Sequence, residues 1–233
     1  MYAALNCSEQ DEFKKMVRHQ TPLRPGEHSF IAGDRLKSIH IVHSGLVKSY
    51  IDSSDGERQI TGFHLPGDVL GLNGMHLKNH TDSVDALVTS DVCQIDLAQF
   101  VHASKSKPML RQQLLLAAYR QLSNGQKMML MLGKVSAERR LAYFLLNLSR
   151  RSKEHGLSPD QITLSMTRQD IANYLGLVVE TVSRLFTKLQ HDGILNVERR
   201  TVNINNYKML ENVAENHHDH SGSSAKFQRK LTL

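Results

Sequence analysis

Three polar residues in the last third of the chain, Glu180, Ser183 and Arg184, are spaced so that a helix would carry them on one face. Such a trio could recognise base edges in a DNA major groove. The Arg184 guanidinium can donate two bonds to guanine O6 and N7, the Glu180 carboxylate can accept from a cytosine N4 amine, and the Ser183 hydroxyl can sit against a thymine. Around them, Thr167, Arg168, Lys188, Arg199 and Arg200 are candidates for phosphate contacts, which add salt-dependent affinity without sequence preference. A Glu and an Arg also suit an ordinary solvated helix face, so the reading depends on the elements that hold them.

Those elements are legible in order. Thr167 and Asp170 fit a capping box with an acid in place of Glu, so a helix is predicted to start at Thr167. Ile171, Ala172 and Leu175 give it an apolar face, and Gly176 can supply the left-handed turn that stops it. A second helix is predicted from about Val178 to Gln190, with Val182, Leu185 and Leu189 inward and Gly193 at its end. Two short helices joined by a Gly-containing turn form a helix-turn-helix unit. Ile194–Val197 and Val202–Ile204, joined through Glu198-Arg199-Arg200, then read as a β-hairpin wing.

The remainder of the chain has a different texture. Glycines recur at short intervals from Gly26 to Gly71, between β-type runs at Ser38–His43, Leu46–Ile51, Gln59–His64, Ala86–Thr89 and Val92–Ile95. This predicts an all-β barrel, roll or sandwich. From Pro108 to about Lys134 the period becomes helical. Leu115, Leu122 and Met129 form one row and Ala118, Gly125 and Leu132 another, offset by three, which together make an a/d seam suited to a parallel two-stranded homodimer. A helix packed on its own domain is the alternative; the narrow stripe, the small residues and the absence of acids between Arg111 and Lys134 favour the dimer. Ser136–Ser152 is again helical, Ile162–Leu164 a short strand, and 207–233 a polar tail expected to be disordered.

Composition limits the function. With 233 residues the chain has room for two modest domains, and 40% hydrophobic and 22% charged residues are ordinary for a globular protein. Apolar runs such as Met128–Leu132 are too short to cross a bilayer, and Met1–Gln10 lacks the pattern of a signal peptide. The two cysteines, Cys7 and Cys93, make no disulfide framework and point to a reducing cytoplasm. Net charge is +6, with a deficit of basic residues before position 107 and a surplus after it, so the back half suits a polyanion. No nucleophile–base pair, carboxylate pair or phosphate loop suggests an enzyme.

Several stretches together resemble the Crp–Fnr superfamily of bacterial regulators, nearer its Fnr branch. They are Arg24-Pro-Gly-Glu, Ile60-Thr-Gly-Phe-His-Leu-Pro-Gly-Asp, Leu110-Arg-Gln-Gln, Asn147-Leu-Ser-Arg-Arg and, above all, Met166-Thr-Arg-Gln-Asp-Ile-Ala-Asn-Tyr-Leu-Gly-Leu-Val-Val-Glu-Thr-Val-Ser-Arg-Leu. The resemblance implies an α+β chain. A cyclic-nucleotide-binding-like β-roll would occupy 1–106, a dimerisation helix 107–134 and a winged helix-turn-helix 135–206. It also implies a cytoplasmic transcription regulator, an activator, with double-stranded DNA, a second copy of itself and RNA polymerase as partners. In that branch the Glu-x-x-Ser-Arg face reads TTGAT-N4-ATCAA palindromes. Cyclic-nucleotide-responsive relatives carry an Arg where this chain has Val179, and read TGTGA. Family members commonly place Thr or Ser at the position of Val178, so a helix cap is missing here.

The effectors of the family fit poorly. Where relatives clamp a cyclic nucleotide phosphate with arginine, this chain has Asp82 and Asp85, which would repel it. A 4Fe–4S cluster wants four thiolates and the chain has two cysteines. The 13 histidines are scattered, with His217, His218 and His220 in the tail. The expectation is a regulator without cofactor; the alternative is a ligand-, haem- or metal-responsive regulator with an unidentified effector in the β-roll.

Overall fold

A computed structural model of the chain describes residues 16–18 and 21–215. Eight strands form the N-terminal unit: β1 (Val17–Arg18), β2 (His28–Phe30), β3 (Ser38–Ser44), β4 (Val47–Asp52), β5 (Arg58–His64), β6 (Val69–Leu70), β7 (Ser83–Ala86) and β8 (Asp91–Asp96). They pair antiparallel into two four-stranded sheets, β1-β8-β3-β6 and β2-β7-β4-β5. Alternating residues aim inward from both sheets, so Phe30, Val47, Val84 and Ala86 meet Val42, Leu70 and Val92 between them. This is the cyclic-nucleotide-binding β-roll that the resemblance implied.

Six helices and a small sheet complete the described chain. They are α1 (Leu97–Ser106), α2 (Pro108–Lys134), α3 (Ala137–Glu154), β9 (Gln161–Thr163), α4 (Arg168–Leu175), α5 (Val179–His191), β10 (Leu195–Glu198), β11 (Thr201–Ile204) and α6 (Tyr207–Glu215). Pro108 opens α2, where its fixed φ and missing N–H do no harm. Ile39, Val69, Leu72, Ile95, Phe100 and Leu110 pack α1 and the start of α2 on the β-roll. Beyond that point the seam side of α2 is open. Leu115, Leu122 and Met129 are 49%, 61% and 76% exposed, Gly125 is exposed too, and Ala118 and Leu132 are half-buried. No described helix is long and apolar enough to cross a membrane.

Four points differ from the sequence expectations. The strand expected at Ala86–Thr89 lies earlier, at Ser83–Ala86, because its buried faces carry Ser83 and Asp85 and so hide the apolar signature. Helix α1 was not foreseen; it is started by Asp96, whose side chain accepts from the Gln99 N–H at 2.9 Å. Phe186, rather than Leu185, is the fully inward residue between Val182 and Leu189. Tyr207–Glu215, placed in a disordered tail, is helical: its spacing buries Leu210 and Ala214, and it packs on α3. The rest of that tail, 216–233, and Cys7 lie outside the described residues.

Candidate nucleic-acid interface

The helix-turn-helix is built by local chemistry. The Thr167 hydroxyl accepts from the Asp170 N–H at 3.0 Å and the Asp170 carboxylate accepts from the Thr167 N–H at 2.9 Å, a reciprocal capping box that starts α4. Gly176 ends it at φ +61°, a left-handed conformation that glycine adopts at least cost. A side chain there would also press on Leu132, whose Cδ2 lies 3.0 Å from the position of a Cβ. Arg140 ties this turn to the end of α2. Its guanidinium donates to the carbonyls of Leu132 at 2.8 Å, Val135 at 2.9 Å and Leu175 at 2.9 Å. That role was not legible beforehand, because all three acceptors are backbone groups brought together by the fold.

Helix α5 starts at Val179 with Val178 at its cap position and no side-chain cap bond, as the missing Thr or Ser implies. Val182, Phe186 and Leu189 are buried against α3 and α4. That burial leaves Glu180, Ser183 and Arg184 together on the opposite, exposed face. Ser183 Oγ donates to the Val179 carbonyl at 2.9 Å, and Arg184 contacts Thr181 Oγ1 at 3.4 Å. The face is therefore polar, open and self-supporting before any partner arrives.

The backbone-contact candidates divide into two groups. Arg199 and Arg200 form the two-residue turn of the wing, where Glu198 pairs with Thr201, and both are exposed. Arg199 holds φ +55°, a conformation unusual for a residue with a side chain. Thr167, Arg168 and Lys188 are already engaged inside the chain. Thr167 serves the cap. The Arg168 guanidinium lies 3.2 Å from the centre of the Phe186 ring, and burial pushes its pKa down to about 10. Lys188 Nζ donates to Glu138 Oε2 at 2.8 Å, an exposed pair that water weakens.

The β-roll residues weighed for effector binding are buried. Burial raises the pKa of Asp82, although Asn73 donates to it at 3.4 Å, and burial likewise raises that of Asp85 against the opposing charge of Lys48 at 4.0 Å. His80 stacks on Phe30 at 3.8 Å. Cys93, on β8, is buried, and burial with the nearby Asp91 pushes its thiol up to about 11, away from the thiolate a metal would want. Among the described residues no group of three or more His, Cys, Asp and Glu side chains is arranged to hold a metal ion.

Comparison with known proteins agrees with this architecture. Residues 20–106 match the cyclic nucleotide-binding domain and residues 139–213 the Crp-like helix-turn-helix domain. The chain is 42% identical to the Transcriptional activator protein Anr of Pseudomonas protegens, over 86% of this chain and 82% of that protein. It is 41% identical to the Fumarate and nitrate reduction regulatory protein of Escherichia coli K12, over 90% and 84%. Among solved structures, FixK2 from Bradyrhizobium japonicum superposes with a TM-score of 0.79 at 31% identity, covering 86% of this chain and 98% of that one. With a β-roll, a helix-turn-helix and relatives of this closeness along most of its length, the chain belongs to the Crp–Fnr family of DNA-binding transcription regulators and is not an enzyme.

Proposed function

We propose that the chain acts as a homodimeric transcription activator on TTGAT-N4-ATCAA-like palindromes, with RNA polymerase as its further partner and without a cyclic nucleotide or a 4Fe–4S cluster as effector. As a regulator acting on genomic DNA it would work in the cytoplasm. The observation that carries the reading is the exposed face of α5, on which Glu180, Ser183 and Arg184 stand clear of the core. The dimer reading draws on the uncovered row Leu115, Leu122, Gly125 and Met129, with Ala118 and Leu132 flanking it. Arg199 and Arg200 are assigned to DNA phosphates, as are Thr167, Arg168 and Lys188, the last by exchanging Glu138 for a phosphate. Activation is taken from the name of the Anr relative.

Gel shift and sedimentation of protein purified in air test this. A dimer at micromolar concentration that retains the TTGAT palindrome over a scrambled duplex is the expected result; a monomer, or equal binding of both duplexes, contradicts it. A second reading, an effector in the β-roll, is favoured by one feature: His80 Nδ1 and Asp82 Oδ1 are buried without a hydrogen-bond partner. A spectrum and metal analysis of protein purified without oxygen, with DNA binding before and after air, separates the two. A coloured sample that loses colour and affinity together would favour the effector.

A further inference from the structure

The β4–β5 hairpin carries a sheet edge. In the order β2-β7-β4-β5 the last strand has no further strand beside it among the described residues, and an open edge presents backbone N–H and C=O groups that want partners. Here the partner is a single side chain from the helix-turn-helix. Asn173, on α4, accepts from the Ile60 N–H through Oδ1 at 2.6 Å and donates to the Arg58 carbonyl through Nδ2 at 2.6 Å. Residues 58 and 60 point their backbone groups the same way, so the amide occupies the place a neighbouring peptide would take. Gln59 closes the loop by donating from Nε2 to the Asn173 carbonyl at 2.7 Å.

Further contacts support the same joint. Lys48 of β4 donates to Asp170 at 2.9 Å, with both side chains mostly buried, so the acid that caps α4 is also held by the β-roll. Burial alone would raise the Asp170 pKa; the bonds from Thr167 and Lys48 outweigh it and hold the carboxyl below its ordinary range. Phe63 of β5 meets Tyr174 and Phe144 at ring distances of 5.1 and 5.9 Å. Arg151 donates to the Phe63 carbonyl at 2.9 Å and pairs with Asp68. The core is continuous across the joint: Tyr50, Ile60 and Phe63 belong to the same buried cluster as Leu145, Ile171 and Leu175. Throughout, the face with Glu180, Ser183 and Arg184 stays exposed.

We infer that Asn173, with Gln59 and Lys48, is a positioning clamp: it fixes the reading helix on the β-roll edge in the orientation that binds DNA, and so sets the half-site spacing a dimer accepts. This rests on the palindrome-binding dimer proposed above. With the clamp closed, each reading helix has one direction relative to the dimer helix. With it open, the short Val135-Ser136 link between α2 and α3 leaves more orientations available, and mis-spaced half-sites are penalised less. None of the three residues belongs to the base-reading set.

The test uses the full chain and three variants: Asn173→Asp, which keeps the acceptor for Ile60 but turns a carboxylate on the Arg58 carbonyl, and Gln59→Ala and Lys48→Met on the β-roll side. Affinity is measured for palindromes with spacers of the native length and longer by a few base pairs, beside amide exchange at Ile60 and the melting temperature. Faster exchange at Ile60, a retained fold and a loss of spacing discrimination of about fivefold or more are expected. If Asn173→Asp does not fold, the other two variants carry the comparison. Unchanged discrimination in a variant whose Ile60 amide has opened overturns the clamp. So does tighter binding by an opened variant, which would make the docked pose inhibitory. A wild type that binds palindromes of every spacing equally defeats the dimer reading and the clamp with it, whereas a discriminating wild type with unaffected variants defeats the clamp alone.

Discussion

Arg184 and Lys188 lie one turn apart on α5 and are both exposed, yet their chemistry differs. Arg184 has a planar fork suited to two bonds on one guanine; Lys188 is a point charge already shared with Glu138. Arg184→Ala should therefore cost about 1–3 kcal/mol on the proposed palindrome and relax selection at the guanine. Lys188→Ala should weaken all duplexes alike and flatten the salt dependence by about one charge. Fluorescence anisotropy titrations at several salt concentrations check both, and a Lys188 variant with altered base preference would mean that the reading face has been placed wrongly. That 180, 183 and 184 share one exposed face was legible, because a helix projects them to one side whatever the rest of the chain does. The roles of the Arg140 and Asn173 side chains were not, since every group these side chains bond is a backbone group distant along the chain or across a loop.

At the scale of elements, α2 decides assembly. A Cβ at Gly125 would meet nothing within 4 Å in the single chain, so Gly125→Asp should leave the protomer folded. In a parallel pair the same change would face two carboxylates across a poorly solvated seam. Sedimentation should then show monomer, with DNA affinity falling in step; a dimer that survives the substitution would place the partner elsewhere on α2. The long elements α2, α3 and α5 were readable from apolar spacing, and α4 from its caps. Strand β7 and helix α1 were not. The one buries Ser83 and Asp85 among its four residues, and the other depends on a single Asp96 cap.

The whole molecule should sense acid through buried imidazoles. Burial pushes the pKa of His40 down to about 4, with His80 adding repulsion; burial does the same to His64, where Asp68 opposes and Arg151 reinforces the effect. Unfolded, both rings protonate near the ordinary value of 6.5. The unfolded chain thus binds more protons below 6.5, and stability present above that pH is lost as pH falls toward 4. Each ring contributes a loss on the order of 3 kcal/mol at the acid end. Urea midpoints measured from pH 7 to 4 should fall, and His64→Gln, at the joint between β5 and α3, should flatten the fall; a pH-independent midpoint would contradict the burial of these rings. The division into a β-roll, a long helix and a reading domain was legible from changes of period and charge along the chain, whereas the joint between them was not. Its contacts pair residues more than eighty positions apart, and up to 122 for Lys48 with Asp170.

The central claim is that the face of Glu180, Ser183 and Arg184, with Val179 beside it, reads a particular half-site. An aliphatic Val179 cannot bond the extra guanine of TGTGA, so the claim meets its most direct test in competition between TTGAT and TGTGA palindromes. Both are offered to the wild-type protein at one fixed salt concentration, with half-sites about 34 Å apart centre to centre. The TTGAT palindrome should win by a margin of about 1–3 kcal/mol per discriminated base pair. Equal affinity for the two, or a preference for TGTGA, would contradict it.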